Sequence, residues 1–365
     1  MNWLLDASFY VIPFLLIFTL VTFIHELGHF WIARRNKIAI QVFSIGFGPE
    51  IFGYTDQLNT RWRLSAIPLG GYVLIDEDSA ESQDNEPKKT PWQHFCVSVA
   101  GPLSNYLSAV ILLGGIYAMV GRPESPLMVR ETVKDSPAAA AGILSGDVIT
   151  HVNATPITTF RELRNVLGRG IPDAPISIRL LRDEETIEMR LVPAYTEKNN
   201  VFGFPVPVFS IGVFLAEGKI QTLSCFTALW YGLKDVYIMS ADMAAALGGI
   251  FVGTQPVGTL GGPVRIAEMV GEISKSGSWT HILLFIVTLS VNLGLVNLFP
   301  FPGLDGGTAA LCLFECVFGR PLSNRVREVI GYFGFVIIGM LMALSLGNDL
   351  WQMSIFQKLW RFLGF

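Results

Sequence analysis

Two histidines and a glutamate, His25-Glu26-x-x-His29, interrupt a run of residues that is otherwise apolar. On a helix of about 3.6 residues per turn, positions four apart lie about 40° apart around the axis. One face can therefore offer both imidazoles to a single metal ion. Glu26, about 100° round from His25, can reach a water held there and take its proton. The surroundings add a constraint. No charged residue occurs from Ala7 to Ile24, and the apolar character continues past the motif to Ala33. A charge at mid-membrane costs about 2.5–3.5 kcal/mol on insertion scales, so these groups need a metal or polar partners.

Two imidazoles leave a catalytic zinc site incomplete, because such a site usually has three protein ligands and one open position. The residues after His29 are Phe-Trp-Ile-Ala-Arg-Arg-Asn and supply no third histidine. The best remote candidate is Asp305, in Asn297-Leu-Phe-Pro-Phe-Pro-Gly-Leu-Asp-Gly-Gly307, where it would end an apolar span. Pro300 and Pro302 should disturb a helix there, and Gly306-Gly307 should free the backbone beyond it. Broken helix at membrane depth persists only where it is buried or lines a cavity, which suits a carboxylate aimed at a metal.

The elements that must position these groups are membrane elements. Of 365 residues, 51% are hydrophobic and 15% charged, and mean hydropathy is +0.48. Those values fit a polytopic membrane protein. The formal charge of −4 and the lack of a basic patch argue against a nucleic-acid partner. Cys96, Cys225, Cys312 and Cys316 sit in or beside apolar stretches and read as packing residues. The N-terminal apolar run has no basic flank before it and reads as a retained anchor.

Uncharged windows of about 20 residues, enough to span a bilayer, occur four times. They lie at about 8–33, between His94 and Arg122, between His281 and Asp305, and between Glu328 and Asp349. Arg34, Arg35, Lys37, Lys88, Lys89, Arg320, Arg325 and Arg327 place the intervening loops on the cytoplasmic side. Both termini and the 122–280 region then face the other side, with Lys358 and Arg361 weighing mildly against this.

Four regions follow. Residues 1–124 hold two spans and, at 61–73, partly alternating residues with Pro68 and Gly70-Gly71-Tyr72, expected with 43–49 to form a hairpin against the membrane. The polar stretch 76–89 reads as a solvated loop. Residues 125–194 have the character of a soluble domain, with a helix behind Thr159. Ser136 to Asp147 and the following Val148-Ile-Thr-His-Val-Asn153 resemble a PDZ domain of bacterial proteases, whose strand edge accepts an extended peptide. Residues 195–280 are expected to connect, with an interfacial helix within 222–275 and a surface or re-entrant segment at 243–264 rather than a fifth span. Residues 281–365 hold the last two spans.

The motifs together resemble the site-2 protease family of intramembrane zinc metalloproteases. The similarity is greatest to the bacterial branch typified by the regulator of sigma-E protease. It is carried by His-Glu-Leu-Gly-His at 25–29, Gly46-Phe-Gly48, Pro68-x-Gly-Gly-Tyr-Val73, Ala100-Gly-Pro-x-x-Asn105, Gly261-Gly-Pro263 and the 297–307 motif. The resemblance implies Zn2+ bound by His25, His29 and Asp305, with Glu26 as base. It implies that Asn297 and the hairpin, at Gly70, Gly71 and Tyr72, hold the substrate. It further implies a bacterial inner-membrane location, with the PDZ domain and both termini periplasmic. Substrates would be single-span membrane proteins such as anti-sigma factors or signal-peptide remnants. The chain departs from the best-known branch member in having one PDZ domain instead of a tandem pair, and Thr308 where histidine is common. Asn105 and Asn292 read more simply as helix-bridging residues, and His94, His151 and His281 as ordinary ones. Two other readings stay open on the residues alone: a PDZ-bearing adaptor with a structural metal, and a membrane zinc protease acting on misfolded proteins.

Overall fold

The computed structural model describes residues 2–75, 90–124, 127–168, 173–199, 205–216, 219–251, 262–275, 277–320 and 322–352. The expected loop at 76–89, most of 252–264, and Lys358 and Arg361 lie outside them. Two compact units result: Met1–Ile116 with Cys225–Phe365, and Tyr117–Ser224.

Helix α1 (Asn2–Arg35) ends where its apolar run ends, with Arg34 and Arg35 in the last turn complementing the helix dipole. Its stop is a Schellman closure. Lys37 takes the left-handed conformation (φ 55°), Ile38 N–H donates to Ala33 O, and Lys37 N–H donates to Arg34 O. Strands β1 (Ile40–Thr55) and β2 (Arg61–Ile75) then form one strongly bent hairpin. The first half of β1 is paired on both flanks, with 71–75 on one side and 61–64 on the other. Positive φ at Gly46, Gly48 and Gly70 permits the bends. The far side of 71–75 carries no strand among the described residues.

The hairpin is anchored to α1 in two places. Phe43 stacks on Trp62 (4.4 Å between centroids), and Phe30 of α1 meets both rings edge-on. At the turn, Arg34 pairs with Asp56. Burial would raise the Asp56 pKa, but hydrogen bonds from Trp62, Thr60, Arg34 and Leu58 outweigh it and hold it at about 2. The Arg34 side chain at the end of α1 thus tethers the hairpin.

Helix α2 (Pro91–Met119) packs closely on α1. Gly28 makes that approach possible: a Cβ there would stand 2.4 Å from Ala100 O. Ser104 Oγ donates to Ile24 O at 2.7 Å, so its hydroxyl is satisfied across the helix pair.

The second unit comprises β3 (Arg122–Glu124), β4 (Val129–Thr132), α3 (Pro137–Ala140), β5 (Val148–Val152), β6 (Thr155–Pro156), α4 (Phe160–Gly168), β7 (Ile176–Arg182), β8 (Glu185–Leu191), β9 (Ala194–Asn199), β10 (Pro205–Ser210), β11 (Val213–Leu215) and β12 (Lys219–Gln221). A four-stranded sheet of order β6-β5-β7-β8 forms its centre. Val152, Ile178, Leu180 and Ala138 are fully buried there. Thr159 caps α4 as expected, within a capping box: its hydroxyl accepts from Glu162 N–H, and the Glu162 carboxylate accepts from Thr158 and Thr159. The unit runs past the expected 125–194 on both sides. β11 pairs with β4 and β12 with β3. Ile211 is buried in the same core, with Phe209, Val213 and Leu215 packed against it. The expected connector 195–280 therefore divides, its first part completing this unit.

The remainder of that stretch returns to the first unit as α5 (Cys225–Phe251) and α6 (Pro263–Lys275). α5 packs on α2 through Gly232, whose added Cβ would lie 2.9 Å from Gly114 N. Residues 243–251 continue α5 as regular helix, so the expected surface or re-entrant segment does not begin at 243. Asp349 fixes the start of α6, accepting from Gly262 N–H (3.2 Å) and Arg265 N–H (3.3 Å). The last helices are α7 (Trp279–Leu298), α8 (Asp305–Phe318) and α9 (Asn324–Gln352). Among the described residues, four helices, at Tyr10–Arg35, Pro91–Met119, Trp279–Leu298 and Arg325–Gly347, are long and apolar enough to cross a membrane. They coincide with the four windows read from the sequence.

Candidate metal centre

His25 and His29 lie on one face of α1, as their spacing requires, with ring centroids 4.8 Å apart. Both are buried. Asp305 reaches them from a different element. α7 stops at Leu298, before Pro300, and Asp305 opens α8 rather than ending the third span. Gly306 and Gly307 are helical here; their role is closeness, not freedom. A Cβ on Gly306 would stand 2.4 Å from Leu298 O and Phe299 O, and one on Gly307 2.2 Å from Phe301 O. Only glycine lets the first turn of α8 tuck beneath those carbonyls, and that tuck aims Asp305 inward.

Asp305 Oδ2 stands 2.8 Å from His25 Nε2 and 3.3 Å from His29 Nε2, and the two Nε2 atoms are 3.2 Å apart. Donors about 2.0–2.1 Å from a tetrahedral zinc stand about 3.3 Å from one another. The donor chemistry fits equally well. His29 Nδ1–H donates to Val97 O at 2.7 Å, which leaves its Nε2 as a bare lone pair. Asp305 Oδ2 is buried and, among the described residues, accepts no hydrogen bond despite its near neighbours. Lone pairs aimed at one point repel unless a cation sits among them.

Glu26 faces the same cluster, near enough to interact electrostatically with His25, His29 and Asp305. The Val73 backbone, in β2, lies within reach of its carboxylate. A Cβ on Gly71 would lie 3.7 Å from Glu26 Cγ. Gly70 lies beside Thr22 and Phe47. The Tyr72 ring stacks on Phe47 (5.8 Å) with the Arg63 guanidinium over it. Asn297 Nδ2 is 3.5 Å from His25 Nε2. The structure thus gathers His25, His29, Asp305, Glu26, Gly71 and Asn297, and engages Tyr72 within the hairpin.

Three neighbours escaped sequence reasoning. Val97 and Val73 act through backbone atoms and leave no side-chain signal. Gly101 on α2 is different: a Cβ there would stand 2.2 Å from His29 Nε2. The Gly101-Pro102 pair inside an apolar span was the available clue.

Residues 13–341 match the profile of peptidase family M50. A provisionally named zinc metalloprotease of Rhizobium meliloti is 33% identical over 371 residues, covering 96% of this chain and 99% of its own. The chain belongs to family M50. A second provisionally named zinc metalloprotease, from Agrobacterium fabrum, is 34% identical over 93% of this chain and 95% of its own. The metalloprotease MmpA of Caulobacter vibrioides is 29% identical over 95% and 96%. This M50 peptidase is therefore a zinc metalloprotease of the site-2 type, a multi-pass membrane protein whose substrates are membrane proteins. Among solved structures, the PDZ domain of an SdrC-like protein from Listeria monocytogenes aligns with 25% of this chain and 87% of its own, at 19% identity and a TM-score of 0.20.

Proposed function

We propose that this peptidase cuts single-span membrane proteins within or near their membrane segments, at a zinc ion held by His25, His29 and Asp305. The observation that carries the reading is the convergence of those three ligand atoms to within 4.8 Å of one another. Zinc supplies Lewis acidity toward the scissile carbonyl and makes water acidic enough to attack near neutral pH. Glu26 takes the water proton and passes it to the leaving amine.

A helical substrate in lipid has its backbone groups satisfied internally, so it must unwind to be cut. The unpaired side of 71–75 can replace the hydrogen bonds lost, in the manner of strand addition. Gly71 allows the close approach of β2 to Ser44 and Glu26, and Tyr72 stiffens the hairpin through Phe47. The Asn297 amide lies near enough to His25 to hold a substrate carbonyl beside the metal. Val73, on the same strand and beside Glu26, couples the docked substrate to the base.

The inserted unit is a PDZ domain in this reading, and anti-sigma factors or signal-peptide remnants are the substrate type. The chain sits in a bacterial inner membrane with the PDZ domain and both termini in the periplasm. The experiment is cleavage of a single-span reporter by the full chain reconstituted in vesicles, with product masses read. Zinc-dependent cuts inside the apolar segment are expected. Cuts confined to soluble loops, or cleavage indifferent to zinc, would overturn the proposal.

A further inference from the structure

α2 places Val97, Gly101 and Asn105 at four-residue intervals, on one stripe facing the two histidines. Val97 O accepts from His29 Nδ1–H, and Gly101 leaves room for both rings. Asn105 comes next. It is 0% exposed, so it touches no substrate, and its amide nitrogen lies 3.3 Å from His25 Nδ1.

His25 Nε2 faces Asp305 Oδ2 and His29 Nε2, so a metal held there requires Nε2 bare and the proton on Nδ1. Nδ1–H then needs an acceptor. The Asn105 amide supplies one when turned by 180°, an exchange of two atoms of equal size. Its Oδ1 has no partner among the described residues. The orientation with Nδ2 toward His25 thus leaves Oδ1 unmatched, and the demand of His25 for an acceptor favours the turned one. We propose that Asn105 is a positioning residue, accepting from His25 Nδ1–H and thereby holding the His25 Nε2 lone pair on the metal. One helix would then fix the tautomer of both imidazoles, by a backbone carbonyl for His29 and a side-chain amide for His25.

The inference rests on His25 being a ligand, and the test separates the two ideas. Zinc affinity is measured by chelator competition on the purified full chain, together with the visible spectrum of the cobalt-substituted protein. Asn105→Leu, similar in volume but without an acceptor, should weaken zinc about 10- to 100-fold and alter the cobalt bands. Asn105→Asp, which still accepts from Nδ1–H, should stay within about threefold of wild type. Wild-type affinity in the leucine variant, or aspartate as weak as leucine, overturns the positioning role. If the leucine variant fails to fold, aspartate decides alone, and a tenfold weakening there sinks the proposal. His25→Ala runs alongside: undiminished zinc in that variant would remove the ligand reading itself.

Discussion

Asp147 in the inserted unit and Asp305 Oδ2 in the membrane unit are both carboxylate groups shielded from water, though Asp305 as a whole is only half-buried, and their surroundings are opposite. Asp147 is 1% exposed and takes two hydrogen bonds from Arg182 at 2.7 Å and one from Leu144 N–H at 2.8 Å. Glu315 in the membrane unit is treated alike, by Arg327 and by Leu322 N–H. Among the described residues Asp305 Oδ2 meets only two imidazole nitrogens, and the His29 ring already donates its proton to Val97 O from Nδ1. A buried acid whose demands are met within the protein locks structure in place. One left unmet beside other lone pairs is waiting for a cation.

The largest effect should fall on that unmet acid. Asp305→Ala should lose both zinc and cleavage, whereas Glu315→Gln should keep zinc at wild-type stoichiometry; metal analysis of the purified variants checks this. Equal zinc loss in both would erase the distinction drawn between the two acids.

Glu26→Gln comes next. It should retain zinc while cleavage falls about 10²- to 10⁴-fold, the usual worth of a general base. Measurable turnover at the wild-type rate with the metal in place would show that another group moves the proton.

For the satisfied acid the expected effect is on structure and on pH. Arg182 draws the Asp147 pKa down, burial pushes it up, and the Leu144 hydrogen bond draws it down again, leaving it below the usual range. The stabilisation is therefore complete above about pH 4, the unfolded value, and is lost as pH falls through the depressed folded value. Hydrogen exchange on the full chain should show the amides of 143–152 opening about tenfold faster in Asp147→Asn at pH 7. That gap should close in strong acid; a gap independent of pH would mean the pair contributes nothing.

The smallest effect should come from the hairpin. Gly71→Ala presses a methyl to 2.5 Å from Ser44 O and to 3.7 Å from Glu26 Cγ. Zinc content should be unchanged and kcat should fall about tenfold, since the edge and the base shift together.

How far the sequence discloses this arrangement differs between the two regions. The four apolar helices and the pairing of His25 and His29 are legible because hydropathy and helical period leave few alternatives. Asp305 is legible as a candidate through its Pro-Gly surroundings, but the reason for Gly306-Gly307 is not, because close packing depends on where α7 ends. The inserted unit is legible in its centre and not at its edges. Ile211, Val213 and Leu215 belong to a core whose first members, Leu127 and Val129, lie more than eighty residues earlier. Local pattern cannot join strands so far apart. The contacts that Val97 O makes with His29 and the Val73 backbone with Glu26 involve main-chain atoms and have no residue code at all.

The most direct test is X-ray absorption at the zinc edge of the purified wild-type chain, repeated on Asp305→Asn. The wild type should show two imidazoles and oxygen at about 2.0–2.1 Å with no sulfur, and the variant should lose zinc or one oxygen neighbour. Cysteine sulfur in the first coordination sphere, or an unchanged spectrum and zinc content in Asp305→Asn, would contradict the account.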